Sequence, residues 1–338
     1  MQRMCSTHRF TIGIVLGLLL GVGAGYELFA YLQTPLLGIP ALREEMTNYR
    51  LIDPLLACNS REATTGRYKE LDDSLKKVVA DIKASGDADD VSVYFQEYPT
   101  GRWVGIDQDH EYNPASLLKI VLMIAYLKDE ELHPGAFEKK YVFTPELQKI
   151  NSSIPYDSTS TLVVGKTYGV EELISAMIID SDNGAKDVLL DNVDETTIAQ
   201  VYSDLKIPAP EDDGEVYTIS PKEYSLFFRI LYNATYLTRA NSEKAMNYLA
   251  QATYTDGLRA GIPKSLTVAH KFGEHVTTDT NNEIASIELH DCGIVYGSNL
   301  PYFICVMTSG KSLDGLKESI KQISSVVFNS VDTTQAIK

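Results

Sequence analysis

Residues 120–127 read Ile-Val-Leu-Met-Ile-Ala-Tyr-Leu, eight in a row without a charge. A helix that is apolar all round has to lie inside a protein, so this run must sit in a core. The residues just before it say how the helix begins. Asn113 is a capping residue type and Pro114 suits a first helical position, which puts Ser116 in the opening turn, where backbone N–H groups lack helical partners. Lys119 follows three residues later on the same face. A helix start favours developing negative charge, and a lysine kept neutral by burial or by a second cation takes a proton from a nearby hydroxyl. A nucleophile, a base and an anion-friendly turn therefore meet at the mouth of a core helix. The spacing alone decides nothing, because Ser74 and Lys77 repeat it inside a charged helical stretch. For Ser116 the structural alternative is a helix-start serine beside a snorkelling lysine.

With 338 residues, 44% apolar and 22% charged, the chain has room for one large domain or two small ones. A net charge of -16 excludes a nucleic-acid partner, which calls for a basic face. The four cysteines show no C-x-x-C spacing, no H-E-x-x-H is present, and we expect neither metal nor cofactor. Cys292 and Cys305 lie on two strand-like apolar runs. Facing each other across a hairpin they would bond in an exported domain, but one residue of register parts them, and buried free thiols are the expectation.

Residues 1–9 carry Arg3, His8 and Arg9, and residues 10–32 are apolar apart from Glu27. That length spans a bilayer, with the positive flank inside and everything beyond it extracytoplasmic. The expectation is a single-pass cell-membrane protein. A cleaved signal peptide ending near Gly23-Ala24-Gly25 is the rival, and the uncleaved anchor is preferred. Gly13, Gly17, Gly21 and Gly25 recur every four residues, a face suited to self-association in the membrane. Residues 33–65 form a juxtamembrane segment whose stretch 51–56 is expected to pack on the domain that follows, 66–330; 331–338 is a tail.

Helical spacing marks 67–84, and alternation marks strands at 91–96 and 102–106 around the turn Pro99-Thr100-Gly101. Helices follow at 169–179, 183–191, 195–205, 221–235 and 241–251. Strand patterns return at 266–271, 283–288, 292–296 and 303–308, before a last helix with Leu313, Leu316, Ile320, Ile323 and Val327 on one face. The economical arrangement is an α/β (α+β) fold: an antiparallel sheet flanked by the N- and C-terminal helices, with an all-helical lobe inserted and the site between them.

Ser181-Asp182-Asn183 falls at a break between two of these helices, and Lys271-Phe272-Gly273 at the end of a strand. In this order S-x-x-K, S-D-N and K-x-G resemble the active site of class A β-lactamases and penicillin-binding proteins. The resemblance extends to flanking residues 166–173 and 257–263 and covers roughly 66 to 330. It implies a β-lactamase/transpeptidase-like fold and a serine hydrolase. Ser116 would attack a strained or D-alanyl amide, with Lys119 removing its proton. Ser181 would protonate the leaving nitrogen, and Asn183 would hold the substrate amide. Lys271 would supply positive charge, and the N–H groups of Ser116 and Glu274, beside Gly273, would hold the oxyanion. Asp182 would brace its loop. Without the resemblance, the S-D-N stretch reads as a capping turn and Lys271 as a strand-end lysine.

Two departures qualify this. Phe272 stands where the family has Thr or Ser, so the hydroxyl that grips a substrate carboxylate is missing; no nearby arginine replaces it, and His270 and His275 are the candidates to contribute. The family's deacylating glutamate has no clear counterpart between Asn183 and Pro221; Glu211 and Glu215 are the nearby candidates, in a stretch that also reads as a charged turn. Three functions follow: a membrane-anchored hydrolase of β-lactams or related amides, a peptidoglycan D,D-peptidase acting on stem peptides with slow deacylation, and a β-lactam or muropeptide sensor or scaffold without turnover. The intact set Ser116, Lys119, Ser181, Asn183 and Lys271 argues against a dead scaffold. A Ser-His-Asp hydrolase lacks its G-x-S-x-G elbow.

Overall fold

The computed structural model describes residues 42–43, 49–57, 66–152, 160–210, 216–281, 283–297 and 300–332. The expected anchor, 10–32, lies outside them, as do Glu211 and Glu215. Among the described residues no helix is long and apolar enough to cross a membrane. The described residues from Arg43 onward, apart from Ala57, belong to one compact unit, and the account below concerns that unit.

Helix α1 (Gly66–Ser85) leads into strands β1 (Asp90–Glu97) and β2 (Trp103–Ile106). One 3-10 turn, Ala115–Leu118, opens α2 (Lys119–Leu132). A small strand pair, β3 (Lys140–Val142) and β4 (Thr167–Gly169), and helix α3 (Pro145–Ser152) have no counterpart in the sequence reading. The helical lobe continues with α4 (Val170–Ile179), α5 (Asn183–Asn192), α6 (Glu195–Leu205), α7 (Pro221–Tyr232) and α8 (Arg239–Ala250). Strands β5 (Thr267–Thr278), β6 (Ile284–Tyr296) and β7 (Tyr302–Gly310) and helix α9 (Leu313–Asp332) complete the unit.

The main sheet runs β2-β1-β7-β6-β5, antiparallel throughout. Alternation along each strand sends every second side chain to one face. Val91, Val93 and Phe95 of β1 face the terminal helices and pack with Leu71, Leu75 and Ile82 of α1 and Leu316, Ile320 and Ile323 of α9. Tyr94, Phe303, Met307 and Ile294 face the lobe and meet residues 120–127, all buried as the sequence demanded. Leu51 and Ile52 join that core. The fold is the one expected, with the apolar helix α2 at the junction of sheet and lobe.

Several local expectations change. Ser116 does not sit in the first turn of an α-helix but in the 3-10 turn ahead of it, and Asn113 Oδ1 accepts the Ala115 N–H at 2.9 Å rather than capping the helix. Lys271-Phe272-Gly273 lies in the middle of β5, and the two expected strands 283–288 and 292–296 are one strand, because His290 and Asp291 at the supposed break find buried partners. Cys292 and Cys305, expected as free thiols, form a disulfide; β6 and β7 pair them directly opposite each other, the register in which both sulfurs share a face.

Candidate active site

The serine turn is held from several sides. The Asn113 N–H donates to Glu288 Oε1 at 3.3 Å, and His290 Nε2 donates to Asn113 O at 2.9 Å. Because His290 Nδ1 accepts the Thr308 N–H at 3.3 Å, the ring is fixed as the neutral tautomer protonated on Nε2. Burial pushes its pKa down to about 4, against the opposing pull of the bond to Asn113. The Glu288 carboxyl is shifted the other way, upward, again chiefly by burial. Tyr224, buried in the lobe, donates its hydroxyl to Leu117 O at 3.0 Å. Between these ties Ala115 adopts φ +47°, the left-handed region that costs a non-glycine residue strain.

Strand β5 passes against this turn. A Cβ at Gly273 would stand 2.7 Å from Pro114 O and 3.1 Å from Leu117 N, so only glycine lets the strand backbone come so close. That approach brings the backbone of Gly273 against Pro114 and Leu117, on either side of Ser116 in the chain.

Helix α5 carries the second group. Asp182 is its N-cap, accepting the Ala185 N–H at 2.8 Å on Oδ1. The same carboxylate accepts Ser160 Oγ at 2.8 Å and the Thr161 N–H at 2.6 Å, so it braces two segments and is turned away from substrate chemistry. Ser181 stands just before it with φ +56°, a second strained non-glycine position. Lys119 Nζ donates to Ser181 O at 2.6 Å, to Ser181 Oγ at 3.2 Å and to Asn183 Oδ1 at 2.5 Å. From β5, Lys271 Nζ donates to the same Ser181 Oγ at 2.8 Å and to Phe272 O at 2.9 Å. Burial, and next the neighbouring Lys119, drive the Lys271 amine well below the ordinary lysine range, with Asp291 opposing. Asn183 is buried, its Oδ1 is committed to Lys119, and its Nδ2 has no hydrogen-bond partner among the described residues.

The structure thus gathers Lys119, Ser181, Asn183 and Lys271 into one hydrogen-bonded cluster a single turn from Ser116, with Gly273 and Glu274 beside it. Residues 70–331 match the beta-lactamase enzyme family. The chain belongs to that family. Known structures share the fold: a β-lactamase from Xanthomonas campestris pv. campestris superposes with a TM-score of 0.65 at 19% identity, over 77% of this chain and 98% of its own. A class A β-lactamase from Mycobacterium abscessus gives 0.63 at 18%, over 76% and 98%. A PBP-A variant solved as an acyl-enzyme complex with penicillin G gives 0.63 at 20%, over 77% and 97%. No curated protein matches in sequence.

Within this β-lactamase-family site the sequence reading missed the supporting residues. His290, Glu288 and Tyr224 hold the serine turn from strands and helices far away in the chain. One signal was available: Glu288, His290 and Asp291 are charged or polar residues set among the apolar ones of a single strand. His270, considered for substrate binding, instead bonds Asp291 through Nδ1 at 2.8 Å, with both residues buried. Among the described residues no cluster of His, Cys, Asp or Glu could hold a metal ion.

Proposed function

We propose that this protein is an active-site-serine hydrolase that opens a β-lactam or a related amide through an acyl-enzyme on Ser116. The observation that carries the reading is the double tie of Ser181 Oγ to two buried lysines, 3.2 Å from Lys119 and 2.8 Å from Lys271. Two adjacent buried ammonium groups repel, so one amine is readily neutral and can accept a proton. Lys119 hands a proton through Ser181 Oγ to the neutral Lys271 amine, and Ser116 Oγ attacks the carbonyl carbon while its own proton passes to the Lys119 amine so freed. The oxyanion forms between the N–H groups of Ser116 and Glu274, whose closeness Gly273 makes possible. Ser181, fed by the lysines, protonates the leaving nitrogen as the C–N bond breaks. The uncommitted Nδ2 of Asn183 holds the substrate's side-chain carbonyl. Water then cleaves the ester and returns the serine.

The chain around the site is expected outside the cytoplasm, tethered by residues 10–32; the Cys292–Cys305 disulfide supports an oxidising compartment. One feature favours a second reading, a D,D-peptidase whose acyl-enzyme lingers. Between α6 and α7 the only glutamates are Glu211 and Glu215, in a run with Asp212 and Asp213 that also reads as a charged turn, so no glutamate there stands out as the activator of water.

Intact mass of the full chain after exposure to benzylpenicillin at millimolar concentration, followed from minutes to hours, tests both. An adduct that is absent in Ser116→Ala and decays with product release supports the hydrolase; a persistent adduct supports the peptidase. If neither benzylpenicillin nor a fluorophosphonate modifies Ser116, the serine is not the nucleophile.

A further inference from the structure

The side of the cleft beside Lys271 differs from the rest in its chemistry. Phe272, on the edge strand of the sheet, stacks on Tyr254 with ring centroids 4.0 Å apart and planes at 17°. The loop that carries Tyr254 is tied to the Ser181 loop, since Thr253 N donates to Ile179 O at 3.0 Å and Thr253 Oγ1 to Asp180 Oδ1 at 3.3 Å. The two rings therefore form a wall between the strand and the loop that delivers Ser181. Both are half-buried, with surface left to meet a ligand.

Among the described residues, the cations Lys271, Arg259 and Lys317 are already engaged. Lys271 is 1% exposed, spends its donors on Ser181 Oγ and Phe272 O, and has its amine 4.4 Å from the centroid of the Phe272 ring. Its amine also favours the neutral form, for the reasons given above. Arg259 donates to the carbonyls of Leu266 and Lys264, and Lys317 pairs with Asp256 at 3.0 Å. The surroundings are acidic instead. Asp291 stands directly opposite Phe272 in the β5–β6 pairing, with His270 on one oxygen and the Leu258 N–H on the other, 2.8 Å each. Asp291, Asp256 and Glu274 all act on the Tyr254 hydroxyl, whose pKa is raised, first by burial and then by their charges.

A carboxylate arriving here would lose water against the exposed parts of two aromatic rings, with acids behind them and the amine at the wall, Lys271, committed to Ser181 Oγ and Phe272 O. An uncharged flat group would instead gain apolar contact and stacking. We infer that the Phe272–Tyr254 wall selects acyl donors whose leaving half is uncharged and apolar or aromatic, and disfavours those that carry a carboxylate beside the scissile bond. The inference rests on Ser116 being the nucleophile. It sets a preference within the same site, for neutral amides and esters over carboxylate-bearing donors such as benzylpenicillin.

The test compares two thioesters with one acyl group, differing only in the leaving thiol, which bears a free carboxylate in one and the benzyl ester of that carboxylate in the other. In each case the Ser116 oxygen bonds to the carbonyl carbon, the C–S bond breaks, and the serine proton leaves with the thiol. Thiol release and adduct mass on the full-length chain give the acylation rate constant, with a fluorophosphonate, which needs neither group, as the control for Ser116. The neutral thioester is expected to acylate at least about tenfold faster, since desolvating an unpaired carboxylate costs more than 1.4 kcal/mol. Phe272→Thr, which restores a hydroxyl and removes the stack, should bring the ratio to or below unity. Equal rates, or a faster charged thioester, in the unaltered protein overturn the inference, and so does a ratio that Phe272→Thr leaves unchanged. If the fluorophosphonate labels Ser116 but neither thioester reacts, the wall is no substrate surface while the serine chemistry stands. If the fluorophosphonate fails as well, the nucleophile assignment has failed. Should Phe272→Thr not fold, the ratio in the unaltered protein decides.

Discussion

Acidification should loosen the serine turn through one residue, His290. The imidazole is fully buried, accepts from Thr308 N on Nδ1 and donates from Nε2 to Asn113 O, so the neutral ring satisfies both neighbours. Protonating it places a second N–H against an N–H donor and a charge in the core. The folded protein therefore resists the proton until about pH 4, whereas the unfolded chain takes it near 6.5. Between these values the unfolded state binds more protons, so stability from this residue is full above 6.5, falls as pH drops, and is constant below about 4. The gap corresponds to about 3 kcal/mol. Glu288, whose carboxyl is raised, contributes with the opposite sign, because the folded state takes its proton first as pH falls. A comparison with His290→Gln isolates the histidine, since glutamine keeps a donor and an acceptor but does not titrate. Denaturant unfolding of both proteins from pH 7 to 4 is the assay. The unaltered protein should lose about 3 kcal/mol more than the variant across that range. Parallel stability curves would refute the assignment of a buried neutral His290, and with it the clamp on Asn113.

Gly273→Ala would set a Cβ 2.7 Å from Pro114 O and push strand and turn apart by a few tenths of an ångström or more; fluorophosphonate labelling of Ser116 should slow by roughly a hundredfold with the circular dichroism spectrum retained. Asp182→Ala removes the cap on Ala185 and the ties to Ser160 and Thr161 together; unfolding in urea should show a loss of about 2–3 kcal/mol. Because the Lys271 amine lies well below the ordinary lysine value of 10.5, the rate of Ser116 acylation should climb with pH as that amine deprotonates, and Lys271→Arg, which stays charged, should flatten the rise. Stability follows the same sign: between the lowered value and 10.5 the unfolded state binds more protons, so the fold gains as pH increases through that window.

What the sequence revealed and what it hid divide along a physical line. The run 120–127, the alternation in β1 and the apolar run of β7 announce burial because each is a local pattern extending over several residues, and the sheet with its two flanking helices follows from them. Ser116, Lys119, Ser181, Asn183 and Lys271 were legible because each is a reactive side chain within a short motif whose local structure, a turn, a capped helix or a strand, is set nearby. The disulfide depended on a register that composition does not encode, and the 3-10 turn at Ala115 on ties from Glu288 and His290 some 175 residues away. Tyr254 carried no signal at all, since an aromatic residue in a loop is ordinary until its partner is known.

The hidden half of the site is also the half that sets preference. Lys271 reaches Ser181 through its own amine and is steadied by the carbonyl of residue 272, a backbone atom that any residue supplies. The ring at 272 also lies 4.4 Å from that amine, so the side chain there touches the lysine as well as Tyr254. The same side chain, pointing the other way across the pleat toward Tyr254 and Asp291, decides what the leaving group meets. Position 272 thus gives its carbonyl to the lysine and, under the inference above, its side chain to the substrate. Substitutions at 272 should accordingly alter the ratio between neutral and charged substrates, whereas substitutions at Lys271 or Ser181 should slow all of them alike.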